Sequence, residues 1–599
     1  MALLLNPAHF DALHMSGVIA LQQGDPQAAL VLIDQALSAD SGNAGAADAY
    51  INRGAALARL GLQDAAIESY NQALALKPAH ADAYFNRGNV FHAIKRPGKA
   101  LDSYDKAVTA DPRHGNAWFN RAIVLKGLKR HQEAAHSYDM AAACGANASF
   151  LPGLRLHAKM QICDWTDFDS QLEALCAGIA RGEKVTPPLA TLAVTDSAAL
   201  QRRAAEIWTA DTCPPNPTLG PLTPRPRNGK IKLAYFSMDF RNHPVATLVA
   251  GLIEAHDSEK FEVYAFSYGP DTGDAMRTRL ESSFDQFIDI RKHTDRDAAV
   301  LAREIGVDIA IDLAGHTTDA RTGIFAFRTA PIQVSYLGYP GTMGASYIDY
   351  IIADRNLIPA DHFSQYSEKV VHLPHFQAND DTREIADQPL TRAALGLPQI
   401  GAIFCCFNNT YKITPAVFAG WMRILKAASD ATLLLYAENE TAAVNLKAEA
   451  ARHGIAPERL VFGAKLPRPA YLARYQIADL FLDTLPFNAG TTASDSLWAG
   501  LPVLTCRGES FAGRMASSLL EAIGLPELIT TTPAAYEALA IALAKNPARL
   551  SEIRAKLAPN RQTSALFDVK RFARTIENAY VQMTARARAG LPPDHIMVA

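Results

Sequence analysis

The spacing of apolar and polar residues changes its character close to residue 213. Before that point apolar residues recur at helical intervals, whereas from Lys230 short β-rich runs alternate with helical stretches. The alternation comes in two series, and the second starts after Pro389. Continuous apolar strands separated by helices are typical of parallel sheets covered on both faces. The pattern therefore predicts a multidomain protein in which an all-α region precedes two Rossmann-like α/β lobes.

The predicted strands are short apolar runs, and a last helix, Val569–Arg588, is predicted to pack back on one of the lobes. The first lobe is predicted to contain Ile231–Ser237, Phe261–Ser267, Val307–Leu313, Ile332–Leu337 and Tyr350–Ala353, and the second lobe Ala402–Phe407, Ala431–Tyr436, Arg459–Phe462, Ala478–Asp483 and Pro502–Cys506.

The helical region repeats every 34 residues. This period is typical of tetratricopeptide repeats, in which each unit is a helix-turn-helix that buries its apolar face against its neighbours. Small residues at Gly54, Gly88 and Ala122 are expected to let paired helices approach closely. The aligned columns are Tyr50/Tyr84/Trp118, Asn52/Asn86/Asn120, Arg53/Arg87/Arg121 and Tyr70/Tyr104/Tyr138.

The asparagine column, Asn52, Asn86 and Asn120, is the candidate acceptor-binding surface of the repeats. Each amide follows a large aromatic residue by two positions and is expected to point into the concave groove. There it could bond to the backbone N–H and C=O of an extended peptide without reading its side chains. The alternative is a solvated polar face, and three copies in register leave the two interpretations evenly matched.

Composition excludes some classes of partner. The chain has 599 residues and a net charge of −3, so no basic excess indicates a nucleic-acid or membrane-surface partner. Seven cysteines without a CxxC pair indicate a reducing compartment, and no apolar stretch approaches the roughly 20 residues that cross a bilayer. We therefore expect a cytoplasmic protein.

The predicted domain boundaries follow from the fading of the repeat and from a proline-rich stretch that starts near Cys213. They give a tetratricopeptide superhelix (1–148), connecting helices (149–212), a linker (213–229), a first lobe (230–390), a second lobe (391–560) and a C-terminal helix that packs on the lobes (561–599).

Ligands of open α/β sheets bind outside the carboxyl ends of the strands, so the loops there contain the candidate site residues. In the second lobe Gly490 precedes a helix start at Thr491 and Thr492, where backbone N–H groups attract a phosphate or are simply capped. Asp495 follows one turn later, and either complements the helix dipole or accepts from a hydroxyl. Lys412 follows another strand and could neutralise a departing diphosphate.

The first lobe presents two histidines after strand ends, His243 in Asp239-Phe-Arg-Asn-His243-Pro and His316 in Gly315-His316-Thr-Thr. Both are therefore expected to face the cleft between the lobes. A glycine-rich loop, Leu337-Gly-Tyr-Pro-Gly-Thr-Met-Gly344, follows a third strand.

Several of these motifs together resemble the O-linked N-acetylglucosamine transferase family, in a bacterial form. The resemblance covers essentially the whole chain and implies repeats joined to a two-lobed GT-B catalytic unit. It also implies UDP-N-acetylglucosamine as the donor, protein Ser/Thr hydroxyls as the acceptor, inversion at the anomeric carbon, and no metal or other cofactor. The motifs are Asp239-Phe-x-x-His243-Pro, Ala330-Pro-Ile-Gln-Val-Ser-Tyr-Leu-Gly-Tyr-Pro-Gly-Thr-x-Gly344, Tyr366-Ser-Glu-Lys369, Phe407-Asn-x-x-Tyr-Lys412 and Gly490-Thr-Thr-x-x-Asp495-x-Leu-Trp-Ala-Gly500.

The resemblance also implies residue roles. The chain departs from the animal members of the family at Gly490 and Tyr471, which replace histidines, at Arg468, which replaces a lysine, and at His316, which replaces a tyrosine. The implied roles are an active-site contact for His243, the diphosphate for Lys412, Thr491 and Thr492, the ribose for Asp495, the uridine for Arg474 with the Ala464 region, the sugar for Leu337 and Pro340, and a donor contact for Asn409, where animal members have glutamine.

Two other functions compete with this interpretation. A related enzyme class that uses GDP-fucose shares much of the architecture. A non-catalytic repeat scaffold with a degenerate catalytic unit is the second alternative, although His243, Lys412, Thr491 and Thr492 are all intact.

Overall fold

The structure, a computed structural model, describes residues 2–222, 229–387 and 390–598. Part of the predicted linker 213–229 and the predicted boundary at Pro389 therefore lie outside the described residues. The chain divides into two compact units, Met1–Lys159 and Met160–Ala599. Among the described residues no helix is both long enough and apolar enough to span a bilayer.

The first unit is a series of paired helices, as the 34-residue period predicts. Its helices are α1 (Ala2–Leu5), α2 (Phe10–Gln22), α3 (Pro26–Ala39), α4 (Ala46–Arg59), α5 (Gln63–Leu76), α6 (Ala81–Ala93), α7 (Pro97–Ala110), α8 (Gly115–Gly127), α9 (His131–Ala143) and α10 (Leu151–Gln161), and the boundary with the second unit falls within α10.

In three helix pairs the second helix contributes a buried tyrosine, Tyr70, Tyr104 or Tyr138, and in the pair α2 and α3 Ile33 packs against Gly17 instead. A Cβ atom at Gly54 would lie 2.6 Å from Cε1 of Tyr70, and one at Gly88 would lie 2.6 Å from Cε1 of Tyr104. Since real Cβ atoms do not approach other carbons so closely, only glycine fits without displacement of the ring. The expectation that small residues allow close helix approach is confirmed.

The arginine column joins each helix pair to the pair before it. Arg155 lies 34 residues after Arg121 and continues the column, so the repeat extends into α10, beyond the point where the sequence pattern fades. The bonds are Arg53 Nε to Asp34 Oδ1 (2.6 Å), Arg87 Nη1 to Asn71 Oδ1 (2.9 Å), Arg121 Nε to Asp105 Oδ1 (2.6 Å) and Arg155 Nε to Asp139 Oδ1 (2.5 Å).

The amides of the asparagine column are half-buried, and two of them are engaged within the array. Asn52 Nδ2 lies 2.9 Å from His14 Nε2, and Asn120 Nδ2 donates to Asn89 Oδ1 at 2.8 Å. Acceptor binding by this column stays a prediction.

The second unit begins with the connecting helices α11 (Phe168–Arg181), α12 (Pro188–Leu192) and α13 (Ala198–Thr212) and continues into the first α/β lobe. The lobe contains β1 (Ile231–Ser237), α14 (Pro244–Glu254), β2 (Phe261–Ser267), α15 (Ala275–Ser283), β3 (Gln286–Asp289), α16 (Asp295–Ile305), β4 (Ile309–Asp312), α17 (Gly323–Ala326), β5 (Ile332–Ser335), β6 (Tyr350–Ala353) and β7 (Lys369–His372).

The second lobe has its own sheet and a core of buried apolar side chains. It contains β8 (Ile403–Cys406), α18 (Pro415–Ala427), β9 (Thr432–Tyr436), α19 (Glu440–Arg452), β10 (Leu460–Gly463), α20 (Arg468–Tyr475), β11 (Leu480–Leu482), α21 (Thr491–Trp498), β12 (Val503–Cys506), α22 (Phe511–Ala522), β13 (Ile529–Thr530), α23 (Pro533–Lys545) and α24 (Pro547–Thr563).

The chain then returns to the first lobe through α25 (Val569–Arg588) and β14 (Ile596–Met597). Phe572, Ile576 and Tyr580 of α25 pack in the same apolar core as the first-lobe strands, so the predicted final helix packs on that lobe. The first sheet has the order β14-β7-β6-β5-β4-β1-β2-β3 and the second β10-β9-β8-β11-β12-β13, and every described strand pair is parallel.

Candidate active site

A cleft of 590 Å³ lies between the two α/β lobes. Its first-lobe wall includes Asn242 and Pro244, the neighbours of His243 on either side. Its second-lobe wall includes six of the predicted donor-binding residues: Arg468, Tyr471, Arg474, Thr491, Thr492 and Asp495. The structure thus brings most of the second-lobe candidates to a single surface, as expected for loops at the carboxyl ends of parallel strands.

Helix α21 begins in this cleft without a side-chain cap. Gly490 occupies the N-cap position and has no side chain, so it leaves the first N–H groups of the helix for another partner. The Thr492 hydroxyl donates to Asn408 Oδ1 at 2.5 Å, and Asn408 Nδ2 donates to Thr484 Oγ1 at 2.8 Å. Of the two alternatives for this helix start, the geometry favours anion binding over ordinary side-chain capping.

A methionine occupies the space next to Gly490. A Cβ atom at this position would lie 2.4 Å from Cε of Met515. Met515 therefore fills the space that a side chain at position 490 would need, although Cε is the end of a flexible side chain.

Lys412 is held beside the loop that leads into α21. Its Nζ atom donates to the backbone carbonyl of Asn488 at 3.0 Å, two residues before Gly490. The same atom lies 3.6 Å from the centre of the Phe487 ring. The lysine and the uncapped helix start therefore belong to one local structure, as a shared diphosphate site requires.

Asp483 holds this loop through hydrogen bonds to its backbone. Its buried carboxylate accepts from Thr484 N (2.8 Å), Ala489 N (2.7 Å) and Thr505 Oγ1 (2.7 Å). Burial raises the pKa of Asp483 to about 6 and lowers the pKa of Lys412 to about 8. The Asp483 charge opposes the second effect and favours the ammonium form of Lys412.

The predicted uridine side is an aromatic and cationic wall. The Arg474 guanidinium lies 4.2 Å from the centre of the Phe407 ring and 5.2 Å from that of Tyr471. Arg474 Nη1 donates to the carbonyl of Ala464 at 2.8 Å, which fixes the exposed backbone there. A flat base could stack on such a wall while the Ala464 backbone reads its edge.

Asp495 does not lie free in the cleft, because two arginines bind its carboxylate. Arg468 donates through Nη1 to Oδ2 (2.9 Å) and through Nη2 to Oδ1 (2.6 Å). Arg383, which sequence reasoning did not single out, donates from Nη1 to Oδ1 at 3.0 Å. Asp495 is therefore held by both lobes, and the dipole role alone does not describe it.

His243 caps α14 through its own ring. Nδ1 accepts from Val245 N at 3.3 Å and lies 3.4 Å from Asp239 Oδ2. Burial and the nearby Arg241 charge lower the pKa of His243 to about 4, and burial raises the pKa of Asp239 to about 6. Both contacts engage Nδ1, which leaves Nε2 as the ring nitrogen available to a substrate.

His316 is placed differently from His243. It is 8% exposed, and its Nε2 donates to the Met343 carbonyl at 2.7 Å. Its ring also meets Tyr339 edge-on. His316 is thus buried against the glycine-rich loop, unlike the half-buried His243, and its part in donor binding stays a prediction.

The glycine-rich loop that contains Leu337 and Pro340 follows β5. Leu337 has a φ of 70°, a conformation that a branched residue adopts only when its surroundings hold it there. Its side chain packs in the same apolar cluster as Tyr411 and Phe487, which flank the Lys412 region. The sugar-side loop of the first lobe and the lysine loop of the second lobe thus contribute side chains to one apolar cluster.

Two neighbouring asparagines lie in different environments, and the donor contact of Asn409 stays a prediction. Asn409 is exposed and precedes the short 3-10 turn Thr410–Lys412, whereas Asn408 is buried and bonds to Thr492. Sequence reasoning missed Asn408, although its position directly after the predicted strand end at Phe407 was a signal for it. Among the described residues, no group of three or more His, Cys, Asp or Glu side chains is arranged to hold a metal ion.

Comparison with known proteins gives a family match for both parts of the chain. The profile of glycosyl transferase family 41 matches residues 221–388 and 384–576. Profiles described as TPR repeat and tetratricopeptide repeat match residues 60–95 and 96–149.

Curated relatives and one solved structure agree with these matches. The chain is 34% identical over 377 residues, 62% of its length, to a probable UDP-N-acetylglucosamine–peptide N-acetylglucosaminyltransferase, SEC, of Arabidopsis thaliana. It is 27% identical over 564 residues, 73% of its length, to the UDP-N-acetylglucosamine–peptide N-acetylglucosaminyltransferase of Caenorhabditis elegans. The chain spans only 38% and 49% of these two relatives. A mutant of the Thermobaculum terrenum O-GlcNAc transferase matches with a TM-score of 0.60 and 26% identity over 97% of this chain and 98% of that one.

Proposed function

The chain belongs to glycosyl transferase family 41, and on that premise we propose that it transfers N-acetylglucosamine from UDP-N-acetylglucosamine to Ser/Thr hydroxyls of proteins. The observation that carries the proposal is that Lys412 bonds to the loop that leads into the uncapped start of α21. The names of the plant and nematode relatives support the same donor and a peptide acceptor.

The reaction that we propose is an inverting displacement without a metal. The acceptor hydroxyl attacks the anomeric carbon and loses its proton while the bond to the diphosphate breaks. Negative charge therefore grows on the leaving oxygen, and the proton is released together with UDP. Lys412 and the N–H groups at Thr491 and Thr492 would stabilise that charge. Removal of one such donor typically raises the activation free energy by about 3–4 kcal/mol. Asp495 would accept from the ribose hydroxyls, and the Arg474 wall would hold the uracil.

His243 serves in this scheme as an active-site contact through Nε2. Its Nδ1 accepts a hydrogen bond from Val245 N or faces the Asp239 carboxylate, so Nε2 is the nitrogen that can meet a substrate oxygen.

The acceptor protein is proposed to enter along the repeats, whose 34-residue units match tetratricopeptide profiles. A cytoplasmic location is part of the proposal. All seven cysteines fall within the described residues and are unpaired, which supports a reducing compartment.

Transfer of radiolabel tests the proposal directly. The purified chain is incubated with acceptor protein and either UDP-[³H]GlcNAc or GDP-[³H]fucose, with and without EDTA. Label transferred from UDP-[³H]GlcNAc at an EDTA-insensitive rate, with a β-linked product, is the expected result. Label transferred only from GDP-fucose would assign the fucosyltransferase alternative, and no transfer or hydrolysis of either donor would favour the scaffold.

A further inference from the structure

Arg383 lies in the segment that leaves the first lobe after β7, yet its side chain ends under helix α21 of the second lobe. The side chain is 1% exposed. Its Nη1 donates to Ser494 Oγ at 2.8 Å and to Asp495 Oδ1 at 3.0 Å, and its Nη2 donates to Asn379 Oδ1 at 2.6 Å. A guanidinium forks to several acceptors in one plane, which a lysine amine cannot do.

The same segment holds α21 at two further points. Trp498 Nε1 donates to the backbone carbonyl of Arg383 at 3.0 Å, and Ser494 Oγ donates to Asn379 Oδ1 at 2.5 Å. The Arg383 guanidinium also lies 5.9 Å from the Trp498 ring centre and 5.8 Å from that of Phe567. Helix α21 is therefore fixed along its length by a first-lobe segment, and the helix start that faces the cleft is fixed with it.

The two arginines on Asp495 differ in how firmly they are held. A carboxylate can accept about four hydrogen bonds, and Arg383 and Arg468 together supply three. Arg468 has a side chain that is 28% exposed and lines the cleft, so it can move aside for a ligand. Arg383 is enclosed by protein and cannot move aside. It therefore sets the orientation of the carboxylate when a nucleotide enters.

We propose that Arg383 is a positioning residue for donor recognition: it aims the Asp495 carboxylate at the ribose hydroxyls of the nucleotide. The inference rests on the proposed function, because it assigns a ribose to the cleft. It makes the first-lobe segment around Arg383 a part of the nucleotide site, although no atom of Arg383 touches the ligand.

The test compares UDP with 2′,3′-dideoxy-UDP, binding of each being measured by calorimetry. The wild-type chain should bind UDP at least about tenfold more tightly than the dideoxy compound, since a charged hydrogen bond is lost. Asp495→Asn and Arg383→Met should both weaken the binding of UDP about tenfold and change the binding of dideoxy-UDP less than about threefold. The ratio of the two affinities should therefore fall close to one. Arg383→Lys keeps the charge without the fork and should give an intermediate ratio.

Arg279→Met is the matched control. Arg279 Nη1 bonds to Asp380 of the same segment at 2.5 Å, but the arginine does not contact α21. This variant should keep the wild-type ratio.

Each other outcome is decisive. The inference is overturned if Arg383→Met weakens the binding of both ligands equally or of neither. A merely structural role has no preference for ribose hydroxyls. If that variant does not fold, a wild-type ratio in Arg383→Lys overturns it and a reduced ratio supports it. A wild-type chain that does not bind UDP refutes the proposed function itself, whereas loss of discrimination in Asp495→Asn but not in either Arg383 variant refutes the inference alone.

Discussion

The Lys412 ammonium lies 3.6 Å from the centre of the Phe487 ring, on the loop that leads into helix α21. An ammonium over an aromatic face keeps its charge while it loses water, and such a charge acts strongly on a nearby anion. The arrangement supplies a cation to the place where the proposed diphosphate departs.

Replacement of Lys412 by methionine should therefore abolish transfer while UDP still binds. We expect kcat to fall at least about 100-fold, because a charge that acts mainly in the transition state is removed. Transfer of radiolabelled sugar and calorimetry with UDP measure the two effects. Lys426→Met, an exposed lysine of the same lobe, should behave as wild type. Near-normal transfer by the Lys412 variant would remove the lysine from the mechanism.

The pH dependence of kcat/KM for the donor should reflect the titration of Lys412. Burial lowers the pKa of Lys412 to about 8, so the charged form is lost as the pH rises through that value. We expect kcat/KM for the donor to be constant from pH 6.5 to 7.5 and to decline above about 8. Asp483→Asn removes the negative charge that favours the ammonium, and should move the decline to lower pH. A decline that begins only above pH 10, or that is unchanged in Asp483→Asn, would contradict this assignment.

His243 should remain neutral well below the ordinary range of histidine. Its pKa is lowered from 6.5 to about 4, since burial and Arg241 both disfavour the imidazolium. The folded-state value lies below the ordinary one, so the stability that the neutral ring contributes is present above pH 6.5 and is lost as the pH falls towards 4. An NMR titration of the ring, assigned by its absence in His243→Asn, measures the midpoint. A midpoint above 6 would show that the ring is more hydrated than the structure places it.

Gly88 should be intolerant of even one added carbon. A Cβ atom there would lie 2.6 Å from the Tyr104 ring, so Gly88→Ala should destabilise the repeats by about 1–3 kcal/mol. Gly98→Ala is the matched control, because a Cβ at Gly98 meets nothing within 4 Å. That variant should be neutral or stabilising by up to about 1 kcal/mol. Urea unfolding compares the two, and equal stabilities would show that the Tyr104 ring moves aside without cost.

The asparagine column should affect protein acceptors more than peptides. Simultaneous replacement of Asn52, Asn86 and Asn120 by alanine is expected to raise KM for a protein acceptor several-fold and to leave KM for a short peptide unchanged. Gln72→Ala with Lys106→Ala, two exposed positions of the same repeats, is the control. A loss of peptide transfer as well would place the defect in the catalytic unit.

Sequence patterns predicted the fold where the physical signal is local. Strands such as Ile231–Ser237 and Phe261–Ser267 have the predicted bounds, because continuous apolar runs are the signature of buried parallel strands. The described strands that were not predicted, Gln286–Asp289, Lys369–His372, Ile529–Thr530 and Ile596–Met597, have two to four residues each. Gln286–Asp289 lies at the edge of its sheet, and Ile596–Met597 has only two residues. Such segments become strands because a neighbouring strand supplies their partners.

The candidate site was predictable only in part. The loops at strand ends pointed to Lys412, Thr491 and Asp495. No periodic pattern gives the direction of a side chain within a loop, so the bond from Thr492 to Asn408 could not be predicted. Arg383 bonds to a carboxylate 112 positions away in sequence. A contact of that kind between two lobes arises from tertiary packing, and no local sequence pattern predicts it.

The arginine that joins each helix pair to its predecessor, from Arg53 to Arg155, has a consequence for how such an array changes over time. Because every junction pairs an arginine with an aspartate or asparagine at an equivalent position, insertion or deletion of one complete unit creates a junction of the same kind. The length of the array can therefore change by gain or loss of whole units with no compensating mutation, whereas a shift of half a unit would leave an arginine without its acceptor.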